Sequence, residues 1–329
     1  MHKYLFLPLL LTLYACEKDV SPEMGDVSYN IDANRVTISG LSSGAYMAGQ
    51  LHIAHSGLFR GAAMLAGGPY YCAEGAITKG IGPCVTGGDL GEDRLLAYAR
   101  EMESAGKIDT LSNLADDSIW LFHGALDDTV GEAVTSAAAA FYQQHLSVES
   151  LTYVTDVEVV HGFPTISTGV PCATFGTPFL NACDYDTVGE LLTALYGPLN
   201  ARAEASGELQ IIVQPGGDDA EMLEQAFLYV PAACAAGESC GVHVAVHGCV
   251  QSSEYVSDAF AAGAGFNEWA EANNLLVLYP QVASSKIAPM NPYGCWDWWG
   301  YTNEDYATRE GPQIKVIKAM LDALAGTTL

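Results

Sequence analysis

The chain has 329 residues, half of them apolar, with 34 glycines and 14 prolines, which excludes a disordered chain and suits a large core with many turns. Its formal net charge is −26, from 39 acidic and 13 basic residues. Nucleic acid and anionic membrane surfaces are therefore excluded as partners, because both repel such a chain. A solvated acidic surface explains the charge, and a saline habitat is also compatible with it.

Residues 1–16 are typical of an export signal. Lys3 is followed by an apolar run from Leu5 to Leu13, which is shorter than the roughly 20 residues that a membrane-spanning helix needs. The run ends in the sequence LYAC, which resembles a bacterial lipobox and predicts lipidation of Cys16. The alternative is an ordinary signal peptide cleaved near Cys16. The lipobox predicts an outer-membrane lipoprotein of a bacterium, with a lipid anchor as its membrane contact, and the alternative predicts simple secretion.

Residues 17–30 are predicted to form a polar tether, and residues 31–329 a single catalytic domain, because no Pro- or Ser-rich linker divides them. Strand and helix patterns alternate along this domain, and the strands are continuous apolar runs. That combination predicts an α/β fold with a mostly parallel sheet and helices on both faces. The predicted strands are 35–39, 61–67, 118–122, 151–160, 210–213, 242–246 and 275–279, and the predicted helices are 45–58, 89–105, 133–145, 258–273 and 311–325.

The segment from Gly40 to Gly44, GLSSG, matches the G-x-S-x-G pattern of a nucleophile elbow. A predicted strand precedes it and a predicted helix follows it, which is the context that the motif requires. Glycines two residues before and after the serine let the backbone turn sharply and present the hydroxyl group. This spacing selects Ser42, because Ser43 lacks glycines at the two positions.

A serine nucleophile needs a base, and the base needs an acid to orient it. After an elbow of this kind the acid and then the histidine follow along the chain. Asp127 comes just after strand 118–122, and its neighbour Asp128 is the second candidate, with a solvent-exposed turn residue as its simpler interpretation. His161 lies on a loop after strand 151–160, which suits a base. His52, in a predicted helix, is interpreted as a residue of the surface or the core edge.

An oxyanion hole needs two backbone N–H groups, and the residue after the nucleophile, Ser43, supplies the first. The second usually comes from a His-Gly loop after an earlier strand, but only about 40 residues precede the nucleophile. The sequence His247-Gly-Cys249 provides such a loop after strand 242–246. A strand that normally comes early therefore comes late, and the sequence predicts a circular permutation.

Eight of the nine cysteines remain when Cys16 is set aside, and an even number in an exported chain predicts disulfides. Sequence alone allows 105 pairings of eight cysteines. A zinc site is the rival interpretation, but no Cys-x-x-Cys pair occurs, so no metal is expected. No cofactor is expected either. Short spacings favour Cys72–Cys84, Cys172–Cys183 and Cys234–Cys240, which leaves Cys249–Cys295.

Five segments resemble the polyhydroxybutyrate (PHB) depolymerase and feruloyl-esterase-like group of α/β-hydrolases, and most closely its circularly permuted fungal-type PHB depolymerases. They span positions 38–299, most of the mature chain. The elbow alone is weakly specific, whereas the late HGC followed by GCWDW is strongly so. The matching segments are ISGLSSGAYM at 38–47, HGALD at 123–127, HGFP at 161–164, HGC at 247–249 and NPYGCWDWW at 291–299.

The resemblance implies Ser42, Asp127 and His161 as a catalytic triad, and the backbone N–H groups of Ser43 and Cys249 as the oxyanion hole. A Cys249–Cys295 bond would then stiffen the oxyanion loop. The resemblance further implies that the aromatic segment contacts a polyester chain, through Trp298 or Trp299. The simpler interpretation of these tryptophans is core packing.

The predicted function is hydrolysis of poly(3-hydroxybutyrate) or of short-chain 3-hydroxyalkanoate oligoesters. No separate polymer-binding module is recognisable in the sequence, and the predicted lipid anchor differs from a freely diffusing fungal enzyme, so both features favour soluble oligoesters over crystalline granules. The alternatives are a feruloyl or acetyl-xylan esterase, and a surface lipoprotein that binds without catalysing. The sequence makes no prediction of oligomeric state.

Overall fold

The computed structural model describes residues 28–145 and 150–329. The predicted export signal, Cys16 and most of the predicted tether therefore lie outside the described residues. No helix in the described part of the chain is both long enough and apolar enough to cross a bilayer.

The main sheet has eight strands in the spatial order β4-β3-β2-β1-β10-β11-β9-β8. The six strands from β4 to β11 in this order are parallel, and β9 and β8 join them antiparallel at one edge. The eight strands are β1 (Ile31–Leu41), β2 (Gly61–Leu65), β3 (Ser118–Phe122), β4 (Ser150–Val154), β8 (Glu208–Val213), β9 (Gln225–Val230), β10 (Cys240–Val246) and β11 (Leu275–Tyr279).

Three short strands form a second, small sheet in the order β5-β7-β6. They lie between β4 and β8 along the chain. They are β5 (Phe163–Thr165), β6 (Val170–Pro171) and β7 (Leu180–Ala182).

The order of the main sheet shows the permuted connectivity. β1 lies between β2, which is the next strand along the chain, and β10, which comes about 200 residues later. In their register Gly40 is paired with Val246. The end of β1 and the end of β10 therefore lie side by side, as the late His-Gly loop predicted.

The apolar residues of the parallel strands face two separate cores. On β3, Ile119 and Leu121 pack into one core, while Trp120 and Phe122 pack into the other. Side chains alternate across a strand, so a run of consecutive apolar residues buries both faces. The mostly parallel sheet with helices on both faces is therefore confirmed.

The helices divide between these two cores. Helices α1, α4 and α11 contribute to the first, and α6, α9 and α10 to the second. The helices are α1 (Ser43–Ala54), α2 (Ile77–Gly80), α3 (Pro83–Thr86), α4 (Glu92–Ser104), α5 (Glu132–Ala140), α6 (Thr187–Tyr196), α7 (Ala232–Ala235), α8 (Ser253–Val256), α9 (Ala259–Gly263), α10 (Phe266–Asn273) and α11 (Pro312–Ala325).

Some predicted boundaries were wrong. The predicted helix 258–273 is two helices, α9 and α10, because Gly265 between them has a φ of +100°. The predicted strand 151–160 ends at Val154, and the residues beyond it hydrogen-bond a loop instead of a strand. Strand β9, helix α6 and the small sheet were not predicted.

Candidate active site

Ser42 lies in a sharp turn between β1 and α1. Its φ is +57° and its ψ is −121°, a backbone conformation that residues other than glycine rarely adopt. The turn is held against the end of β2, because the N–H of Ser42 donates to the carbonyl of Leu65 at 2.8 Å. Strain of this kind persists only where its surroundings support it, and it is frequent at functional sites.

The two glycines of the motif are required by close backbone contacts. A Cβ atom at Gly40 would lie 2.1 Å from the carbonyl oxygen of Gly44, and a Cβ at Gly44 would lie 2.4 Å from that of His247. The second contact brings the start of α1 directly against the end of β10. The G-x-S-x-G spacing thus packs the elbow against the His-Gly loop.

Asp127 and His161 form a buried hydrogen-bonded pair. His161 Nδ1 donates to Asp127 Oδ2 at 2.8 Å, while Asp127 Oδ1 accepts the N–H groups of Thr129 and Val130 at 2.8 and 3.0 Å. Burial opposes ionisation of the carboxyl group, but these bonds outweigh it and hold the pKa of Asp127 below its usual value. The proton on Nδ1 leaves Nε2 of His161 as an acceptor. Asp128, the alternative acid, is exposed to solvent.

Backbone hydrogen bonds join the acid loop to the chain that leads to the histidine. The N–H groups of Ala125 and Leu126 donate to the carbonyls of Val157 and Val159 at 2.8 and 3.1 Å. A Cβ at Gly124 would lie 2.3 Å from the carbonyl oxygen of Val159, so this position too requires glycine. This pairing brings Asp127 beside His161.

The His-Gly loop after β10 is fixed at several points. Nδ1 of the buried His247 donates to the carbonyl of Gly248 at 2.7 Å, and burial lowers the pKa of His247 to about 4, so it stays neutral at pH 7. The carbonyl of His247 accepts the indole N–H of Trp296 at 3.0 Å. The N–H of Val250 donates to the carbonyl of Tyr293 at 2.7 Å. These bonds hold Cys249 at one place beside the elbow.

One cleft of about 260 Å³ brings the predicted residues together. Ser42, His161, Cys249 and Trp298 all line it. Asp127 lies behind His161. A larger, polar depression of about 580 Å³ lies beside Arg35, at the other end of β1, and its lining includes no nucleophile with a histidine base. The remaining lining of the cleft is mostly apolar: Leu41, Ile81, Val85, Thr129, Val130, Phe175, Phe179, Gly248, Val250, Gln251 and Cys295.

Known proteins resemble this chain in sequence and in fold. A polyhydroxybutyrate depolymerase of Talaromyces funiculosus is 34% identical over 306 residues, which cover 88% of this chain and 89% of the relative. The chain belongs to the PHB depolymerase family.

Other relatives of this family agree. A poly(3-hydroxybutyrate) depolymerase of Delftia acidovorans is 37% identical over 91% of this chain, but the chain spans only 61% of that relative's length. No protein-family profile matches the chain.

Two solved structures also match this chain, each with a TM-score of 0.85. Each match covers 91% of this chain and 98% of the chain in the solved structure. One is the PHB depolymerase of Penicillium funiculosum, at 34% identity, and the other is a serine-to-alanine PHB depolymerase complexed with an R3HB trimer, at 33%. These likenesses confirm the permuted α/β-hydrolase fold. Members of the PHB depolymerase family are carboxylic ester hydrolases.

The two tryptophans that were predicted to contact substrate occupy different places in this chain. Trp298 lines the cleft and stacks on Tyr46, with ring centroids 4.5 Å apart. Trp299 packs edge-on against Trp298 and at a tilt against Tyr301, and it is not among the residues that line the described cleft. The structure therefore places Trp298, and not Trp299, in the lining of the cleft that holds Ser42.

Two of the other buried histidines have hydrogen-bonded side-chain partners. His52 contacts Asp117 at 3.0 Å, and it is completely buried, so its predicted position at the surface or core edge was wrong. His243 contacts Ser39 at 2.7 Å, and burial lowers the pKa of His243 to about 3. Neither histidine lines the cleft that holds Ser42, so neither is an alternative to His161 as the base.

The described residues form four disulfides, which are the three pairs favoured by short spacing and the pair that they leave: Cys72–Cys84, Cys172–Cys183, Cys234–Cys240 and Cys249–Cys295. Such a set fits an extracellular protein, as expected for the PHB depolymerase family. Within residues 28–145 and 150–329, no group of three His, Cys, Asp or Glu side chains is placed to hold a metal ion.

Sequence reasoning missed most of the cleft wall. Phe175 and Phe179 come from the loop between β6 and β7, and Ile81 and Val85 come from the segment around α2 and α3. These segments have neither the period of a helix nor that of a strand. None of the five segments that resemble PHB depolymerases includes these four residues. The sequence therefore carried no signal that they line the cleft.

We expect Cys295→Ser to lower turnover more than substrate affinity. The bond joins residues 46 apart, and the chain-entropy model gives its loss about 4 kcal/mol of stability. Cys249 also lies at the proposed oxyanion site, and losing one oxyanion donor altogether costs about 3 kcal/mol in the transition state. Steady-state kinetics at a temperature where the variant remains folded will measure kcat and KM separately.

Cys234→Ser is the matched control for this experiment. It removes a disulfide at the start of β10, the end of the strand away from Ser42. We expect this variant to lose stability and to keep its kcat. Equal kcat losses in the two variants, or an unchanged kcat in Cys295→Ser, would remove the Cys249–Cys295 bond from the mechanism.

Proposed function

We propose that this chain is a secreted serine esterase that hydrolyses poly(3-hydroxybutyrate) or short-chain 3-hydroxyalkanoate oligoesters through a Ser-His-Asp acyl-enzyme mechanism. One observation carries the proposal. Ser42, in a strained elbow, shares an apolar cleft with His161, whose other ring nitrogen is bonded to the carboxylate of Asp127. The names of the relatives, all of them polyester depolymerases, support a polyester as the substrate.

In the proposed acylation step, Ser42 Oγ attacks the ester carbonyl carbon while Nε2 of His161 takes the hydroxyl proton. Asp127 keeps the histidine in the required tautomer and stabilises the imidazolium that forms. The negative charge on the carbonyl oxygen is stabilised by the backbone N–H groups of Ser43 and Cys249. The C–O bond of the ester then breaks, and His161 returns the proton to the departing alcohol.

In the proposed deacylation step, a water molecule takes the place of the alcohol. His161 removes a proton from it as it attacks the acyl carbon, and the same oxyanion donors stabilise the second tetrahedral intermediate. Collapse of that intermediate releases a carboxylic acid and returns the proton to Ser42. No cofactor enters either step.

The cleft suits an uncharged aliphatic ester. Its walls are apolar, with Ile81 and Phe175 more than half exposed at its mouth. Trp298 lines the cleft and is 7% exposed, with its ring stacked on Tyr46. We therefore assign the exposed part of the Trp298 ring to apolar contact with the substrate. Trp299 supports the ring of Trp298 in this proposal.

The proposed location is the outside of a bacterial cell. Lipidation of Cys16 would make the chain an outer-membrane lipoprotein, with the polar tether between the lipid anchor and the catalytic domain. Cleavage by an ordinary signal peptidase would instead release the chain. The acidic surface favours solubility in either case.

A panel of esters tests the substrate class. We expect rapid hydrolysis of a 3-hydroxybutyrate trimer and little hydrolysis of methyl ferulate, because the cleft is lined by aliphatic and aromatic side chains with few polar groups to bind a phenolic hydroxyl. Product release is measured by chromatography under identical conditions. Preference for methyl ferulate or for acetylated xylan would replace the proposed substrate, and no hydrolysis of any ester would favour a binding protein.

A further inference from the structure

The side chain of Gln251 joins two walls of the cleft. It is 1% exposed, and its Oε1 accepts the backbone N–H of Gly248 at 2.8 Å. Its Nε2 donates to the carbonyls of Pro178 and Phe179 at 3.0 and 3.3 Å. One buried amide therefore bonds the His-Gly loop on one side and the loop between β6 and β7 on the other.

Both ends of this bridge lie next to the proposed catalytic groups. Gly248 directly precedes Cys249, whose N–H is the proposed oxyanion donor. On the other side, the carbonyl of Phe179 also accepts the N–H of Phe163 at 2.8 Å, and Phe163 is two residues beyond His161. The bridge thus runs from the oxyanion loop to the loop of the base.

The backbone is strained beside Gln251 and at the far end of the bridge. Val250 has a φ of +52° and Phe179 a φ of +58°, a region that β-branched and bulky residues rarely adopt. Such conformations persist only where the surrounding structure holds them. The three hydrogen bonds of Gln251 are among the bonds that hold these two loops.

We infer that Gln251 is a positioning residue that fixes the spacing between the N–H of Cys249 and the ring of His161. The inference rests on the proposed function. The two groups act together only in the transition state, one on the developing oxyanion and the other on the proton in transfer. A change in their spacing therefore raises the barrier and leaves ground-state binding of the ester nearly unchanged.

Gln251→Met tests the inference, because methionine has a similar length and makes none of the three bonds. We expect kcat for a 3-hydroxybutyrate trimer to fall about 10- to 100-fold, the range that a misplacement of about 1 Å can produce, with KM nearly unchanged. Steady-state kinetics and thermal unfolding are measured on the full chain. Gln251→Glu keeps the acceptor for Gly248 and loses the amide donor, so it provides a second measurement if the methionine variant does not fold.

Gln214→Met is a closely matched control. Gln214 is 2% exposed, its Nε2 donates to the carbonyls of Leu223 and Gln281, and its Oε1 accepts the N–H of Gln281. It makes the same three kinds of bond away from the cleft. We expect a comparable loss of stability with an unchanged kcat. An equal fall of kcat in Gln214→Met, or an unchanged kcat in a folded Gln251 variant, overturns the inference.

A double-mutant cycle with Cys295→Ser adds a readout that a merely structural role would not move. Both substitutions act on the position of Cys249, so their combined effect on kcat should be smaller than the product of the separate effects. Gln214→Met combined with Cys295→Ser should be multiplicative. Labelling of Ser42 by a phosphonate in the parent tests the proposed function separately: if Ser42 is not labelled, the proposed function fails before the role of Gln251 is reached.

Discussion

Ser42→Ala is expected to lower ester hydrolysis by about 10⁶-fold while the fold stays intact. Members of a triad act as a unit, so the loss of the nucleophile alone removes nearly all of the catalysis that the unit provides. Alanine fits the site sterically, although it keeps the strained φ of +57°. Measurement requires purified variant and parent, a 3-hydroxybutyrate trimer as substrate, and a phosphonate that labels activated serines. The parent should gain one label per chain, and the variant none.

Ser39→Ala provides a demanding comparison. Ser39 lies three residues before Ser42 and also contacts a histidine, with its Oγ 2.7 Å from Nε2 of His243. Both partners are buried inside the sheet, and Thr37, not a carboxylate, contacts the other ring nitrogen of that histidine. This variant should lose about 1 kcal/mol of stability and keep its phosphonate label. If it is Ser39→Ala that loses the label, or Ser42→Ala that keeps it, the proposed nucleophile is wrong.

The parts of the site that sequence could predict have strong local signals. Gly40 and Gly44 are fixed by contacts with nearby backbone, and a steric requirement of that kind leaves glycine at a constant spacing from the serine. Asp127 and His161 were selected because each follows a predicted strand, and the C-terminal ends of parallel strands meet at one edge of a sheet. The late position of β10 was predicted because the segment before Ser42 is too short to supply the second oxyanion loop, and a His-Gly sequence follows the strand at 242–246.

The parts that sequence could not predict depend on contacts between distant segments. The small sheet of β5, β6 and β7 has strands of two or three residues, too short to show a period. The roles of Phe175 and Phe179 depend on where that sheet packs. In the sequence, Gln251 looks like any other polar residue of a loop. Only its three hydrogen bonds in the structure distinguish it from the others. His52 has the spacing of a helix residue, and its buried contact with Asp117 lies 65 residues away along the chain.

Asp127→Asn is expected to lower kcat by about 10⁴-fold, because the substitution reverses the tautomer of His161. In the parent, Oδ1 accepts two backbone N–H groups and Oδ2 accepts the proton of Nδ1. An asparagine will keep its single oxygen on the N–H groups of Thr129 and Val130, so its NH₂ group will face His161. Nδ1 must then accept, the proton moves to Nε2, and the base can no longer take the proton of Ser42.

The matched control for this substitution is Asp128→Asn, which makes the same change of charge at the exposed neighbouring residue. It should leave kcat unchanged, which separates the tautomer effect from the general electrostatic field of a chain with a net charge of −26.

The pKa of Asp127 is lowered in the folded state, so its carboxylate contributes stability above the unfolded pKa of about 3.9. This contribution is lost as the pH falls through the pKa of the folded state. Asp127→Asn should therefore also weaken the dependence of stability on pH in this acidic range, whereas the pH dependence of kcat/KM near neutrality should change because the base is in the wrong tautomer. Stopped-flow kinetics and acid unfolding curves will measure the two effects separately, and a kcat within tenfold of the parent would mean that another acid orients His161.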